Sequence, residues 1–225
     1  RGSSKRFANR IRQAAQLAGG SRTRGGARKF DGSRIGRGAG IGRLLSSGPR
    51  YRGRTARRVV VKASIVKLGQ KGLARAAAHM RYLQRDGTTR EGERGALYSE
   101  REDRADGKDF VARGEGDRHQ FRFIVAPEDG SEYEDLKPLV RRFMAQAEKD
   151  LGTKLDWVAV DHFNTGHPHS HVIVRGKDDR GKDLIIAREY LTQGLRERAA
   201  ELVNLDLGPR TEREILRSQL REVEQ

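Results

Sequence analysis

Two short apolar runs joined by a polar turn constrain this chain more than any other feature. They are Leu155 to His162 and His169 to Arg175, with Phe163 to Pro168 between them. Each run is rich in valine and too short for a buried helix, so each reads as a strand. So short a connection returns the chain antiparallel, because a parallel partner needs a crossover of a dozen or more residues. A lone hairpin is marginal in water, so the pair calls for further strands and a helical layer.

Other segments supply them. Regular chain starts at Arg58, and Val59 to Val66 reads as a strand. Gly69 to Gly72 is a turn, and Leu73 to Arg85 reads as a helix stopped by Asp86-Gly87. Residues 88–116 are polar and punctuated by glycine, with a short strand expected at Ala96 to Ser99 and a helical turn near Lys108 to Arg113. His119 to Val125 alternates, placing His119, Phe121, Phe123 and Val125 on one face. Tyr133 to Leu151 reads as an amphipathic helix with Leu136, Leu139, Val140, Phe143 and Ala147 on its apolar side. A short strand is expected at Leu184 to Ile186. Helices are expected at Ala187 to Leu205 and Glu212 to Val223, separated by Gly208-Pro209. The class is α+β, a mainly antiparallel central sheet with flanking helices.

Charge divides the chain unevenly. Residues 1–57 hold 16 lysines and arginines against one acid, Asp31, so nearly all of the net charge of +16 lies in the first quarter. That quarter is rich in Gly, Ser and Arg and poor in spaced apolar residues. It is expected to be a mostly disordered basic arm, with a short helix around Phe7 to Leu17, acting as a sequence-neutral phosphate binder or as a linker. Residues 58–225 are expected to form the folded domain. The chain starts on Arg1 and ends on Gln225 inside a charged run, so it is expected to be a piece of a longer protein, truncated C-terminally. With no cysteine, disulfides, thiolate metal sites and a cysteine nucleophile are excluded. Neither a membrane span nor the apolar core of a signal peptide is evident, which fits a cytoplasmic protein.

The hairpin carries four of the six histidines within ten residues: His162, His167, His169 and His171. Alternation points His169 and His171 to one face, and the hairpin returns His162 to meet them. Three neutral imidazoles there can hold a divalent cation and leave positions open for substrate oxygens. His167 falls in the turn and reads as a turn or substrate-facing residue. Asp161 should point to the opposite face.

On the first helix, His79, Tyr82 and Asp86 share a side apart from Ala76, Met80 and Leu83. Tyr82 lies beside Arg81 and Arg85, placed to meet a phosphate. A tyrosine phenol ionises well above neutral pH, so nucleophilic attack needs help from a metal, an arginine or a base, and His79 is one candidate base. Taken alone, this helix favours a tyrosine that merely packs at its edge with a wet hydroxyl.

Together the two elements resemble the HUH-type relaxases of conjugative and mobilisable plasmids and integrative elements, in the branch that includes the T-DNA border nickase. The matching residues are Tyr82-Leu83-Gln84-Arg85-Asp86-Gly87, then His162, then Pro168-His169-Ser170-His171-Val172-Ile173-Val174. The resemblance spans about residues 58–205. It implies an HUH endonuclease-like fold, Tyr82 as nucleophile, and His162, His169 and His171 as ligands for Mg²⁺ or Mn²⁺, with Zn²⁺ as a substitute. It implies reversible nicking of one strand at an origin of transfer through a 5′-phosphotyrosyl intermediate. Implied partners are single-stranded DNA, origin-of-transfer DNA, accessory relaxosome proteins and a type IV secretion coupling protein. The implied location is the bacterial cytoplasm, with export covalently bound to DNA. Where some relatives carry acids between the first His and the Pro, this chain has Asn164 and Gly166, so no carboxylate role transfers and the general base stays unassigned.

Arg81, Arg85, Arg118, Arg122 and Arg175 are candidate DNA contacts that fit surface ion pairs equally well, and Tyr98, Trp157 and Phe163 are candidate stacking platforms, Trp157 reading more readily as a core residue. Three other readings stay open. An HUH replication initiator or transposase would use a tyrosine downstream of the histidines, for which Tyr190 is placed. A non-enzymatic nucleic-acid binder would rely on the basic arm. A metal-dependent hydrolase would leave no covalent adduct.

Overall fold

The computed structural model describes residues 36–48, 53–69, 72–85, 88–164 and 166–216. Along them run α1 (Ala39–Ser46), β1 (Val59–Lys67), α2 (Gly72–Leu83), α3 (Gly107–Arg113), β2 (His119–Pro127), α4 (Lys137–Leu151), β3 (Trp157–His162), β4 (His169–Arg175) and α5 (Leu195–Leu207). The four strands form one sheet in the order β1-β2-β4-β3, every neighbour antiparallel. The α+β class expected from the hairpin is therefore present.

Strand alternation splits the side chains between two layers. On one face Phe121, Phe123 and Val125 of β2, Val172 and Val174 of β4, and Trp157 and Ala159 of β3 pack against α4 and α5. The apolar stripe expected on the long helix, from Leu136 through Ala147, is buried there. On the opposite face Val158, Val160 and Ile173 pack against Met80 and Leu83 of α2 and Phe110 of α3. No β1 or β2 side chain belongs to this apolar cluster, but Gln120 of β2 is buried on the same face beside Ala76 and Met80, so α2 and α3 reach β2 and leave mainly β1 open.

Several boundaries differ from expectation for local reasons. α4 begins at Lys137 rather than Tyr133, because the Asp135 side chain accepts from the Lys137 N–H at 2.9 Å and a 3₁₀ turn occupies Gly130–Glu132. The helix expected from Ala187 starts at Arg188 and is interrupted by a π turn at Tyr190–Gly194, where Gly194 lies against the Tyr190 ring and a Cβ would meet it at 2.5 Å. The expected strand at 96–99 is one bridge, Tyr98 with Ala159, and that at 184–186 is one parallel bridge, Ile186 with Arg37.

The expectation of an irregular arm through residue 57 does not extend to 36–48. There Gly42 of α1 fits so closely on the Tyr190 backbone that a Cβ would approach it to 2.6 Å, and Leu45 is buried. Arg57 is buried too, paired with Glu214 at 2.9 Å, and its N–H donates to Asn204 Oδ1. The short helix expected near Phe7 to Leu17 lies outside the described residues, as does the last helix beyond 216.

Candidate metal centre and tyrosine helix

His162 ends β3 and stands opposite His169, which begins β4, while His171 stands opposite Val160. Alternation therefore puts all three imidazoles on the face that α2 covers. Ring centroids are 5.3 Å apart for His162 and His169, 4.6 Å for His162 and His171, and 4.9 Å for His169 and His171. One nitrogen from each lies within 4.8 Å of the others, so the three can hold a metal ion.

The outer hydrogen bonds set the tautomers. The His162 Nε2–H donates to the Leu83 carbonyl at 2.7 Å, which leaves the neutral ring its lone pair on Nδ1. His169 donates through Nδ1 to the His167 carbonyl at 3.0 Å, which leaves its lone pair on Nε2. That nitrogen lies 3.2 Å from His171 Nε2, so the two rings share one proton. The group that accepts from the outer nitrogen of His162 and orients its ring is thus the last carbonyl of the tyrosine helix. A backbone carbonyl carries no sequence signal, so sequence reasoning missed it.

Burial disfavours the charged form of His162 and His171. It lowers the His162 pKa, with His169 and Arg85 adding to the shift. For His171 burial comes first, then His162, His169, His79 and Arg85, together pushing it down to about 3. Neutral imidazole is the form that ligates a cation.

Tyr82 sits next to Leu83 and is 60% exposed. The Arg85 guanidinium lies 4.5 Å over its ring. Arg81 is exposed one residue earlier. His79, a turn before Tyr82, is half-buried, and its pKa is lowered by burial and then by the nearby charge of Arg122. Asp86 lies outside the described residues.

The remaining candidates separate clearly. Arg175 forms a fork with Asp117, 3.0 Å at both nitrogens, and reaches Asp156 at 3.2 Å. Arg118 pairs with Asp183 at 3.1 Å. Both guanidinium groups are already engaged by carboxylates. Tyr98 is fully buried, so it is not a stacking platform. Its hydroxyl donates to Asp161 Oδ1 at 2.7 Å, and Ser170 Oγ donates to the same oxygen at 2.6 Å. Asp161 thus faces away from the histidines as expected, and burial raises its carboxyl to about 6. Trp157 is a core residue at 3% exposure. Phe163 is half-buried with the Arg90 guanidinium 4.4 Å over its ring, a pairing that spacing alone did not reveal. Tyr190, the rival nucleophile, is fully buried on the α4 side, and its hydroxyl donates to Asp150 at 2.9 Å.

No protein-family model matches the chain, and no curated protein matches it. Among the described residues no helix is long and apolar enough to cross a membrane.

Proposed function

We propose that this chain is a relaxase of the HUH endonuclease type, which nicks and rejoins one DNA strand at a transfer origin through a covalent tyrosyl intermediate. The observation that carries the reading is the contact of the tyrosine helix with the histidine cluster. The Leu83 carbonyl accepts from His162, and the exposed Tyr82 is the residue beside it. A solvent-facing phenol and a three-imidazole cluster thereby share one face of one sheet.

His162, His169 and His171 would hold the cation. Bound there, it would polarise a phosphate oxygen and offset charge on the reacting phosphate. An all-nitrogen set matches Mn²⁺ or Zn²⁺ better than Mg²⁺, which prefers oxygen ligands. The chain's own groups do the rest. The Tyr82 phenol loses its proton, with neutral His79 one turn away as an acceptor, and the phenolate oxygen bonds to phosphorus. The bond from phosphorus to the 3′ oxygen breaks, and that oxygen takes up a proton to leave a 3′ hydroxyl. The 5′ phosphate stays on Tyr82 until a 3′ hydroxyl attacks and reverses both changes. Arg85, over the tyrosine ring, is placed to meet phosphate charge.

In this reading the protein acts in the bacterial cytoplasm on single-stranded origin DNA, with relaxosome proteins and a type IV secretion coupling protein as partners. The test is mass spectrometry after incubation with Mn²⁺ and single-stranded oligonucleotides tiling the DNA that encodes the chain. A nucleotide adduct on Tyr82 is expected. Cleavage without an adduct would assign a hydrolase, and neither cleavage nor adduct on any oligonucleotide would sink the reading.

A further inference from the structure

The β1–β2 half of the site face carries positive charge that no acid among the described residues pairs with. Antiparallel pairing aligns Ser64, Arg122, Ile173 and Val158 in one row across the sheet, and Lys62, Ile124, His171 and Val160 in the next. These rows face α2 and the histidines. On β1 the residues of this face, Val60, Lys62 and Ser64, are exposed and Val66 is half-buried, while on β2 Gln120 is buried and Arg122 and Ile124 are half-buried. The β1 edge is therefore the open floor of the β1–β2 half, and Ile124 joins it to His171.

Three cations stand on the face. Arg175 has its two carboxylates, but Lys62 and Arg122 have no acidic partner among the described residues. Lys62 is exposed, so water solvates it. Arg122 is half-buried, and burial lowers its pKa with no compensating acid. Among the described residues its side-chain partner is neutral. With the Gln120 amide turned toward it, that carbonyl oxygen accepts from Nε and Nη2, each at 2.7 Å. Gln120 is itself buried, so the guanidinium is held in a fixed direction. An oriented, partly desolvated guanidinium without a counter-charge works against folding and suits an incoming anion.

Its position says which anion. Arg122 is one diagonal step from His171, about 7–8 Å by ordinary sheet geometry, and beside His79 on the tyrosine helix. Resting on the relaxase reading, we propose that Arg122 grips a backbone phosphate of the single-stranded substrate next to the one attacked, and that Lys62 continues this track onto the β1 floor. Arg122 is a binding residue in this scheme: it fixes the strand's path and takes no part in bond making.

The test measures binding of labelled oligothymidylate to the full chain across a salt series, with Arg122→Gln, Arg122→Lys and the exposed Arg188→Gln as a control. Arg122→Gln is expected to weaken binding roughly tenfold and to reduce the slope of log affinity on log salt by about 1. Arg122→Lys should keep the slope and lose part of the affinity, and Arg188→Gln should change neither. Arg122→Met should melt no lower than the parent protein, because it removes an unbalanced buried charge. An Arg122→Gln protein with parental affinity and slope, or an Arg122→Met protein that unfolds or melts lower, overturns the proposal. The adduct assay on the parent protein separates the two ideas. A Tyr82 adduct formed while Arg122→Gln binds normally leaves the relaxase reading standing without this track. Absence of both binding and adduct in the parent removes both.

Discussion

The buried hydrogen bond from His162 Nε2 to the Leu83 carbonyl, 2.7 Å long, joins the end of a strand to the end of a helix. It fixes one imidazole in a single tautomer and holds the residue after Tyr82 against the histidine cluster. Removing the ring leaves a buried carbonyl unsatisfied. His162→Ala is therefore expected to lose about 1–3 kcal/mol of stability as well as metal binding. The half-buried His169→Ala should lose metal binding with a smaller loss of stability. Denaturant titration beside calorimetric Mn²⁺ titration distinguishes the two, and equal stability loss in both variants would contradict the role given to Leu83.

The cluster should rank cations by their affinity for nitrogen. Binding is expected to strengthen from Mg²⁺ to Mn²⁺ to Zn²⁺, measured by competition with a chelating dye. Chelation should abolish strand cleavage and Mn²⁺ should restore it. Tighter binding of Mg²⁺ than Mn²⁺ would point to oxygen ligands outside the three histidines.

Two tyrosines offer a contrast. Tyr82 is mostly exposed, so Tyr82→Phe should leave the melting temperature nearly unchanged, within about 0.5 kcal/mol, and abolish the covalent adduct. Tyr190 is buried and donates to Asp150, so Tyr190→Phe should destabilise by about 1–3 kcal/mol and still form adduct. Gel detection of the adduct and thermal melts read both quantities, and an adduct that disappears only with Tyr190→Phe would reverse the assignment.

Acid should weaken the metal-free protein earlier than usual. An unfolded histidine takes up a proton near pH 6.5, whereas His171 in the fold resists protonation until about pH 3. Between those values the unfolded chain binds more protons, so stability falls as pH drops through this window. The His171→Asn protein should show a shallower loss between pH 7 and pH 5 in urea titrations, and an identical slope would refute the prediction.

Gly95→Ala should disturb the site from behind. A Cβ there would lie 2.6 Å from Thr88 Oγ1 and 2.8 Å from Val160 Cγ2. The Thr88 carbonyl accepts the Phe163 N–H at 2.7 Å, next to His162. A loss of about 1–3 kcal/mol from overpacking is expected, with weakened metal binding, and a variant of unchanged stability and affinity would refute it.

Period-two alternation made the sheet and the grouping of His162, His169 and His171 legible, because side-chain direction in a strand follows from sequence parity alone. The apolar stripe of α4 was legible for the same kind of reason. Tertiary contacts were not. Tyr98 and Phe163 look alike as aromatic candidates, yet the bridge to Ala159 buries one and the hairpin turn leaves the other half-open under Arg90. Arg118, Arg122 and Arg175 carry identical side chains, and only their distant partners, Asp183 for the first and Asp117 for the last, separate them from Arg122. Such partners lie tens of residues away in sequence and no local pattern announces them.

Asp161 and His162 are consecutive, yet the first anchors a hydroxyl pair in one layer and the second closes the imidazole cluster in the other. Sliding β3 by a single residue against β4 would trade their places, putting a carboxylate among the imidazoles and an imidazole among the hydroxyls. The turn at 163–168 can therefore tolerate changes of composition far better than an insertion that shifts this pairing. Parity along one strand is the chain's safeguard for its chemistry.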